Sequence, residues 1–315
     1  MVDAEKVGID LIWSRVSSSG SRVLESRVNT RPETRDSKRK RDEMANLKSR
    51  AGKFALLILI TAWPTRVLGF CHELEVVQNN FLRVADSPSG PILIEWFGHS
   101  TFQITSSKGT RILTDPHGAY DLPHPTLPEH IVTTSHQHGP HSSVGMAPGN
   151  PVVLEGLKRT GEDWNKIYTT IRDVSVYTVP AFHDKSRGMQ RGKNAIFVFR
   201  VDNICIAHLG DLGHLLTSEQ LKMMGKIDIL LVPIAGGYYT VTASEGREVT
   251  KQVNPAIAIP MHYWWEAAVT EFTQGMPRVK TMNSPAFKIS KAELPKPTEI
   301  IVLPFGQSGI SQRKE

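Results

Sequence analysis

Three histidines within six positions constrain this chain more than any other feature of its sequence. His136, His138 and His141 follow the apolar, β-branched segment 131–134, which predicts a strand that ends in a histidine loop. Imidazole is the commonest metal-ligating side chain near neutral pH, and a loop lets alternate side chains converge on one ion. The pattern therefore predicts a metal site at a strand end. The alternative is a surface loop that is rich in histidine by chance.

Three further residues of metal-ligand type follow other apolar segments of the chain. His183, Asp211 and His262 each stand just past the C-terminal end of a strand-like run. Loops at strand ends are where functional side chains gather in a cleft. A lone histidine or aspartate in such a position is more often structural, but the repeated placement favours one shared site.

The remaining pattern predicts a layered α/β domain rather than a barrel. Strand-like segments recur at short intervals, beginning with an antiparallel meander over 92–114. Later strands are predicted at 131–134, 174–179, 195–201, 204–208, 227–233, 256–260 and 299–304. Helices are predicted over Pro151–Gly161, Ser218–Gly225 and Ala243–Val253.

The first seventy residues differ in composition from the rest. Residues 1–43 are rich in Ser and Arg without apolar periodicity, so we interpret them as a disordered basic segment. Residues 44–71 resemble a signal peptide, with basic residues before the apolar run 54–63 and small residues after it. Because a signal peptide should begin a chain, we expect translation to start at Met44, which leaves 1–43 outside the natural product.

The signal-like segment predicts an exported protein, periplasmic or secreted, with a folded domain over 72–315 and no stable membrane span in the mature form. An uncleaved membrane anchor through residues 54–63, or a buried core helix there, is the alternative. Cys71 and Cys205 are too few for a disulfide framework and lie 134 positions apart. Since Cys205 stands in an apolar run, we expect it to be a buried, inert thiol.

The charge balance argues against a nucleic-acid partner. The net charge of +6 arises near the N-terminus, where residues 1–53 carry 13 Lys and Arg against 8 Asp and Glu. From residue 72 onward there are 23 of each. A neutral folded domain lacks the basic surface that nucleic acids require.

Short blocks that combine polar residues, glycine and proline follow one another along the chain: Trp96–Ser100, Leu113–Pro116, Ser135–His141, Phe182–Asp184, His208–Gly213, Pro233–Gly237 and Pro260–Tyr263. These blocks and their order resemble the metallo-β-lactamase-fold metal-dependent hydrolases over about Ile92–Phe305. Within that superfamily the sequence is similar to the branch of ascorbate-phosphate lactonase, phospholipase-D-type enzymes and uncharacterised zinc-dependent hydrolases. The resemblance implies a four-layer αββα sandwich with metals in a cleft at the edge of the two sheets.

The resemblance also implies a ligand set. A first metal site is expected from His136, His138 and His183, and Asp211 is expected to bridge to a second site with His141 and His262. The family places an aspartate immediately before the third histidine of the loop, and this chain has Pro140 there. The second site therefore loses a carboxylate ligand, which weakens it without forbidding it. We expect one or two Zn²⁺ ions, with Mn²⁺ or Fe²⁺ as alternatives.

These assignments imply metal-assisted hydrolysis of a small-molecule ester, lactone or phosphodiester, with Asp211 at the catalytic centre. Asp184 or His214 is expected to replace the proton-transfer role of the missing aspartate. His99 is expected to be a pocket residue, with a structural hydrogen bond as the alternative, and Asp115 is expected to orient the ligand loops. Aromatic residues near the expected site either shape an apolar pocket or pack in the core: Tyr238, Tyr239, Trp264 and Trp265.

Two other functions are compatible with the same residues. Pro140 could be a lesion that leaves a catalytically weak or inactive metal- or ligand-binding protein of the same fold. A nuclease of the same superfamily is the third reading, and the neutral charge of residues 72–315 argues against it. The sequence does not name the substrate or the oligomeric state.

Overall fold

The computed structural model describes Cys71 and residues 90–304. The predictions for residues 1–43, and for 44–71 apart from Cys71, lie outside the described residues. None of the helices in the described part has the length and apolar character that a bilayer crossing requires.

The first sheet has six strands in the order β13-β1-β2-β3-β4-β5. Strands β1, β2 and β3 form the antiparallel meander that the sequence predicts. Strand β4, which the histidine loop follows, pairs in parallel with β3 and β5. The strands are β1 Ile92–Trp96, β2 Phe102–Thr105, β3 Arg111–Thr114, β4 Ile131–Thr134, β5 Val152–Glu155 and β13 Ala286–Ile289.

The second sheet has eight strands in the order β12-β14-β11-β10-β9-β8-β7-β6. Strands β9, β10 and β11 are parallel, and β7 runs in their direction because it is antiparallel to β8, which is antiparallel to β9. The strands are β6 Tyr168–Ile171, β7 Val174–Phe182, β8 Lys193–Val201, β9 Ile204–His208, β10 Ile229–Pro233, β11 Ile257–Met261, β12 Val279–Thr281 and β14 Glu299–Val302. The carboxyl ends of β7, β9 and β11 therefore meet at one edge.

Four α-helices lie within the described residues: α1 Gly139–Ser142, α2 Ser218–Met224, α3 Ala243–Val253 and α4 Glu266–Thr273. Helices α2 and α3 begin with capping boxes, in which Thr217 and Thr242 accept from the backbone N–H three residues on. The α2 and α3 predictions are confirmed. The helix predicted over Pro151–Gly161 is wrong, because Val152 and Val153 pair with β4 as the edge strand β5.

Both sheets contribute to one apolar core. Ile94 and Phe102 of the first sheet belong to the same buried cluster as Phe197, Ile206 and Leu231 of the second. Close packing of fully buried side chains of this kind makes the strand ends rigid supports for the loops beyond them. The predicted α/β class with two layered sheets is confirmed, and the described helices α2 and α3 pack against the eight-stranded sheet.

The prediction of a free, inert thiol at Cys205 is wrong. Cys205 is bonded to Cys71, with a distance of 2.08 Å between the two sulfur atoms. The backbone oxygen of Cys71 also accepts a hydrogen bond from the N–H of Lys226 at 2.6 Å, which ties residue 71 to the loop after α2. The sequence separation of 134 residues concealed this pairing, because only the tertiary fold brings the two cysteines together.

Candidate metal centre

The histidine loop passes directly from β4 into α1. His136 and His141 are buried and His138 is exposed, so the loop presents two side chains inward and one at the mouth of a cleft. Pro140 occupies the first turn of α1, where its fixed φ suits a helix start and its missing N–H leaves no bond unmade. The N–H of His141 donates to the oxygen of His138 at 2.8 Å, and this turn directs the third imidazole inward.

Asp211 lies at the centre of the predicted ligand set. Its carboxylate oxygens lie 3.0 Å from Nε2 of His183, 3.1 Å from that of His141, 3.3 Å from that of His262 and 3.8 Å from that of His136. These residues come from the ends of β4, β7, β9 and β11, which the topology brings to one place. The structure thus brings four of the six predicted metal ligands around a fifth, the carboxylate of Asp211. The sixth, His138, is exposed beside them, and its ring centroid lies 5.8 Å from that of His136.

The donor atoms at this centre fit a cation. Nε2 of His136, Nε2 of His141 and Oδ1 of Asp211 are buried and make no well-formed hydrogen bond, although the two imidazole nitrogens lie 3.8 Å and 3.1 Å from the Asp211 carboxylate. Unpaired buried polar atoms are costly unless another partner satisfies them. Two overlapping groups here have ligand atoms within 4.8 Å of one another, His136–His138–His141 and His136–His183–Asp211. Imidazole and carboxylate are ligands that zinc and other divalent transition metals accept.

Burial and charge set the protonation of these groups. Burial lowers the pKa of His136 to about 3, although the nearby charge of Asp211 opposes the shift, so the imidazole is neutral at pH 7. Burial alone would raise the pKa of Asp211, but His141 and His262 hold it well below its usual range. A neutral imidazole beside an ionised carboxylate is the state in which both groups can ligate a metal.

Asp115 contacts the far side of one ligand, as the sequence predicts for a residue that orients the loops. Its Oδ2 lies 3.0 Å from Nδ1 of His141, and Oδ1 accepts the N–H of Ser135 at 2.7 Å. Burial would lower the pKa of His141, but Asp211 and Asp115 together raise it to about 10. A carboxylate on the remote nitrogen of a ligating histidine fixes the ring and increases its basicity.

His99 lies closer to the centre than its predicted role as a general pocket residue requires. Its ring centroid is 3.9 Å from that of His262 and 4.7 Å from that of His141. Ligand atoms of these three buried histidines lie within 4.8 Å of one another. Burial, reinforced by the neighbouring histidines, strongly lowers the pKa of His99, so its ring is neutral.

The structure argues against the predicted catalytic role of Asp184. Both carboxylate oxygens accept backbone N–H groups, those of Ser186 and Gly188 on Oδ1 and those of Gln190 and Arg191 on Oδ2. Burial alone would raise the pKa of Asp184, but these four donors lower it. Asp184 therefore organises the loop after β7 and is poorly suited to carrying protons.

His214, the other predicted substitute for the missing aspartate, is also engaged with the backbone. Its Nε2 accepts the N–H of Phe182 at 3.1 Å, and its Nδ1 lies 2.7 Å from the oxygen of Leu215. Burial lowers the pKa of His214 from its ordinary value. The ring thus supports the end of β7, which precedes the ligand His183.

Two supporting residues, Asn194 and Ser135, were missed by the sequence analysis. Oδ1 of Asn194 accepts the N–H of Asp211 at 3.0 Å, and its Nδ2 donates to the oxygen of Leu209 at 2.8 Å. Gly210 has a φ of +54°, and a Cβ there would collide with Asn194 and Ser135. Asn194 stands between Lys193 and the apolar run of β8, where a polar residue is unremarkable, so neither it nor Ser135 carried a distinct signal in the sequence.

Exposed aromatic side chains border the centre. The alternative prediction, that these residues pack in the core, is wrong. The exposed fractions of Tyr238, Tyr239, Trp264 and Trp265 lie between 44% and 70%. Trp264 lies against His99, with 5.3 Å between ring centroids, and Tyr239 lies 6.4 Å from His262. A cavity of about 310 Å³ adjoins His183 and includes Lys185, Arg191 and Thr240 in its lining.

A family model described as "Beta-lactamase superfamily domain" matches residues 93–262, which is more than half of the chain and includes every candidate ligand. The chain belongs to this superfamily. Relatives of the superfamily named "UPF0173 metal-dependent hydrolase" are similar over most of their length. The Thermoplasma acidophilum protein is 34% identical over 187 residues, 54% of this chain and 82% of the relative. The Caldivirga maquilingensis protein is 29% identical over 190 residues, 54% of this chain and 81% of the relative.

A solved structure agrees with this assignment to the beta-lactamase superfamily. The crystal structure of a Thermotoga maritima chain described within the metallo-beta-lactamase superfamily is 32% identical, with a TM-score of 0.55. The match covers 67% of this chain and 98% of that one. The chain is thus a metal-dependent hydrolase of the superfamily, as the sequence predicts. The assignment of individual ligands stays a prediction that the geometry favours.

Proposed function

We propose that this hydrolase cleaves a small-molecule ester, lactone or phosphodiester at the centre around Asp211. The observation that carries the proposal is the approach of four imidazoles to one buried carboxylate, at 3.0–3.8 Å, with several of the facing atoms unpaired. A divalent cation bound there supplies Lewis acidity, polarising the scissile group and bringing the pKa of a water toward about 7. Zn²⁺ suits the nitrogen-rich donor set, and Mn²⁺ and Fe²⁺ are the alternatives.

Within that proposal, the chain's own residues divide the work. His136, His138 and His183 hold one side of the centre and His141 and His262 the other, with Asp211 shared between them. Exposed His138 marks the side from which substrate and water enter. The guanidinium of Arg191, whose Cζ lies 3.5 Å above the Tyr238 ring, offers a cation to a carboxylate or phosphate of the substrate. The exposed aromatic side chains offer faces for its apolar part.

The test joins elemental analysis of the purified protein to a panel of lactones, phosphodiesters and acyl esters. We expect bound metal and turnover of at least one substrate class. In His136→Ala we expect both to fall, whereas the matched control His124→Ala, at an exposed histidine outside the centre, should keep both. Full activity in His136→Ala would contradict the assignment. Metal without turnover on any substrate class would favour a catalytically weak or inactive binding protein that carries Pro140 in place of the aspartate.

We also propose that the protein is exported, to the periplasm or outside the cell. The signal-like segment 44–71 supports this, and so does the Cys71–Cys205 disulfide, since such bonds persist mainly in oxidising compartments. N-terminal sequencing of the protein from fractionated cells tests the proposal. A mature chain that begins after residue 63 but still contains Cys71, and that lies outside the cytoplasm, is expected. A membrane-bound chain that retains 54–63 would favour the anchor, and a mature form that begins before residue 44 would exclude a start at Met44.

A further inference from the structure

The second half of the centre has a donor that the resemblance does not assign. Pro140 brings no ligand atom, so His141 and His262 have only the shared carboxylate of Asp211 as a further expected partner. His99 stands beside both imidazoles, in a group whose ligand atoms all lie within 4.8 Å of one another. Resting on the metal-dependent centre proposed above, we propose that His99 is a direct ligand of the second cation. Its imidazole takes the place that a carboxylate at position 140 would have.

The side chain of His99 is available for this role because only its backbone carries structural hydrogen bonds. Its carbonyl oxygen accepts Nε1 of Trp96 at 3.1 Å and the N–H of His262 at 3.0 Å. Nδ1 of His99 is buried and has no hydrogen-bond partner in the described part of the chain. The alternative, a histidine kept for a structural hydrogen bond of its ring, finds no support at Nδ1. Leaving this nitrogen unpaired would cost free energy that a bound cation offsets.

The backbone of both residues is held in an unusual conformation. His99 has a φ of +51° and His262 a φ of +53°, in the left-handed region that non-glycine residues seldom occupy. The hydrogen bond from His262 to His99 joins the two positions, and Gly98 before His99 also has a positive φ of +95°. Positive φ values of this kind persist where the surroundings fix them, and they cluster at functional sites. The chain thus maintains two strained backbone positions that bring the imidazole rings within 3.9 Å of each other, with an angle of 47° between their planes.

The proposed donor set determines which cation the second position prefers. His99, His141 and His262 give three imidazole nitrogen ligands and Asp211 one oxygen. A set with a carboxylate at position 140 would instead carry one more negative charge and one more oxygen. Nitrogen-rich sets favour zinc, whereas Mn²⁺ favours oxygen ligands. The second position should therefore discriminate more strongly for Zn²⁺ over Mn²⁺ than a site that contains the aspartate.

The experiment titrates Zn²⁺ into the metal-free full chain and measures stoichiometry and affinity by calorimetry and elemental analysis. Two ions per chain are expected in the wild type and in the control His124→Ala. His99→Asn removes the imidazole while asparagine tolerates the left-handed backbone. In this variant we expect the first ion to remain and the second to bind more than about 100-fold more weakly or not at all, which exceeds the roughly 10–100-fold loss that removal of an outer partner causes.

Controls separate this assignment from folding and from the proposed function. A thermal melt by circular dichroism checks each variant, and His99→Gln provides a second removal if His99→Asn does not fold. Adding Pro140→Asp to His99→Asn should restore the second ion, since the carboxylate then takes its place; one ion in that double variant would overturn the inference. So would two tightly bound ions in His99→Asn, or a wild type that binds one ion. A wild type that binds no ion would instead overturn the metal-dependent function itself.

Discussion

The two halves of the centre differ in their access to solvent. The first group, His136, His138 and His183, includes an exposed histidine at the mouth of the cleft. The second group, His99, His141 and His262, is buried throughout, with exposed fractions of 5%, 0% and 3%. The first group is therefore open to solvent on one side, whereas the second is enclosed by the fold around it.

Asp211 is the residue that the two halves share, so its loss should abolish the distinction between them. Asp211→Asn keeps the shape of the side chain but removes the charge that faces four imidazoles. We expect both ions to be lost at micromolar metal and hydrolysis to fall by at least about 1000-fold, as when a catalytic metal and its electrostatic stabilisation are removed. Elemental analysis and initial rates measure this. Retention of one tightly bound ion would show that the halves are independent.

Asp115→Asn should weaken the enclosed half more than the open half. The change removes the carboxylate charge beside Nδ1 of His141, 3.0 Å away, whereas Asp115 reaches the open half through Ser135, whose Oγ lies 2.9 Å from Nδ1 of His136. Because such outer partners contribute about 10–100-fold to metal affinity, we expect the second ion to weaken within that range and the first to weaken less. Sequential Zn²⁺ titration distinguishes the two steps. An equal weakening of both ions would contradict the division of the centre.

His138→Ala should affect the open half alone and by less. Since His138 is exposed, removing its imidazole leaves no buried cavity, and we expect the melting temperature of the metal-free protein to change by less than about 2 °C. The first ion should weaken by about 10-fold, because His136, His183 and Asp211 remain as ligands. The same titration and a thermal melt measure both effects. Loss of the second ion in this variant would show that His138 also supports the enclosed half of the centre.

Much of this centre could be predicted because its ligands follow strands that are evident in the sequence. The apolar runs that precede His183, Asp211 and His262 locate three strands, and parallel strands bring their carboxyl ends to one edge. The roles of His99 and Asp184 could not be predicted in this way. The position of the His99 ring depends on a left-handed backbone, and the Asp184 carboxylate is engaged by the N–H groups of its own loop.

The strands of the fold also differ in how well the sequence predicts them. Strands with continuous apolar runs, such as β9 and β11, were located correctly, because burial on both faces leaves a strong pattern. The edge strand β5 was mistaken for a helix, since its side chains are mostly exposed and only pairing with β4 makes it a strand. The Cys71–Cys205 bond depends on the whole tertiary arrangement, which no local pattern records.

The titration of Glu129, which is remote from the candidate ligands, should have the smallest effect. It separates the pH dependence of stability from metal binding. Glu129, two residues before β4, is buried with an exposed fraction of 3%; burial raises its pKa to about 7, although a hydrogen bond from Gln103 opposes the shift. The folded state therefore holds a proton that the unfolded chain, with a carboxyl pKa of 4.5, releases earlier. The contribution of Glu129 to the free energy of unfolding should be largest below about pH 4.5 and fall by on the order of 2–3 kcal/mol between there and about pH 7.

Glu129→Gln should remove this part of the slope, because glutamine keeps an acceptor for Gln103 and does not titrate. Urea unfolding of the metal-free protein at a series of pH values measures it, with wild type alongside. Zn²⁺ affinity at pH 7 should be the same in both proteins, since Glu129 contacts no candidate ligand. An unchanged slope would mean that the carboxyl is ionised in the fold at neutral pH. A changed Zn²⁺ affinity would mean that the charge of Glu129 affects the enclosed half of the centre through β4, the strand before the histidine loop.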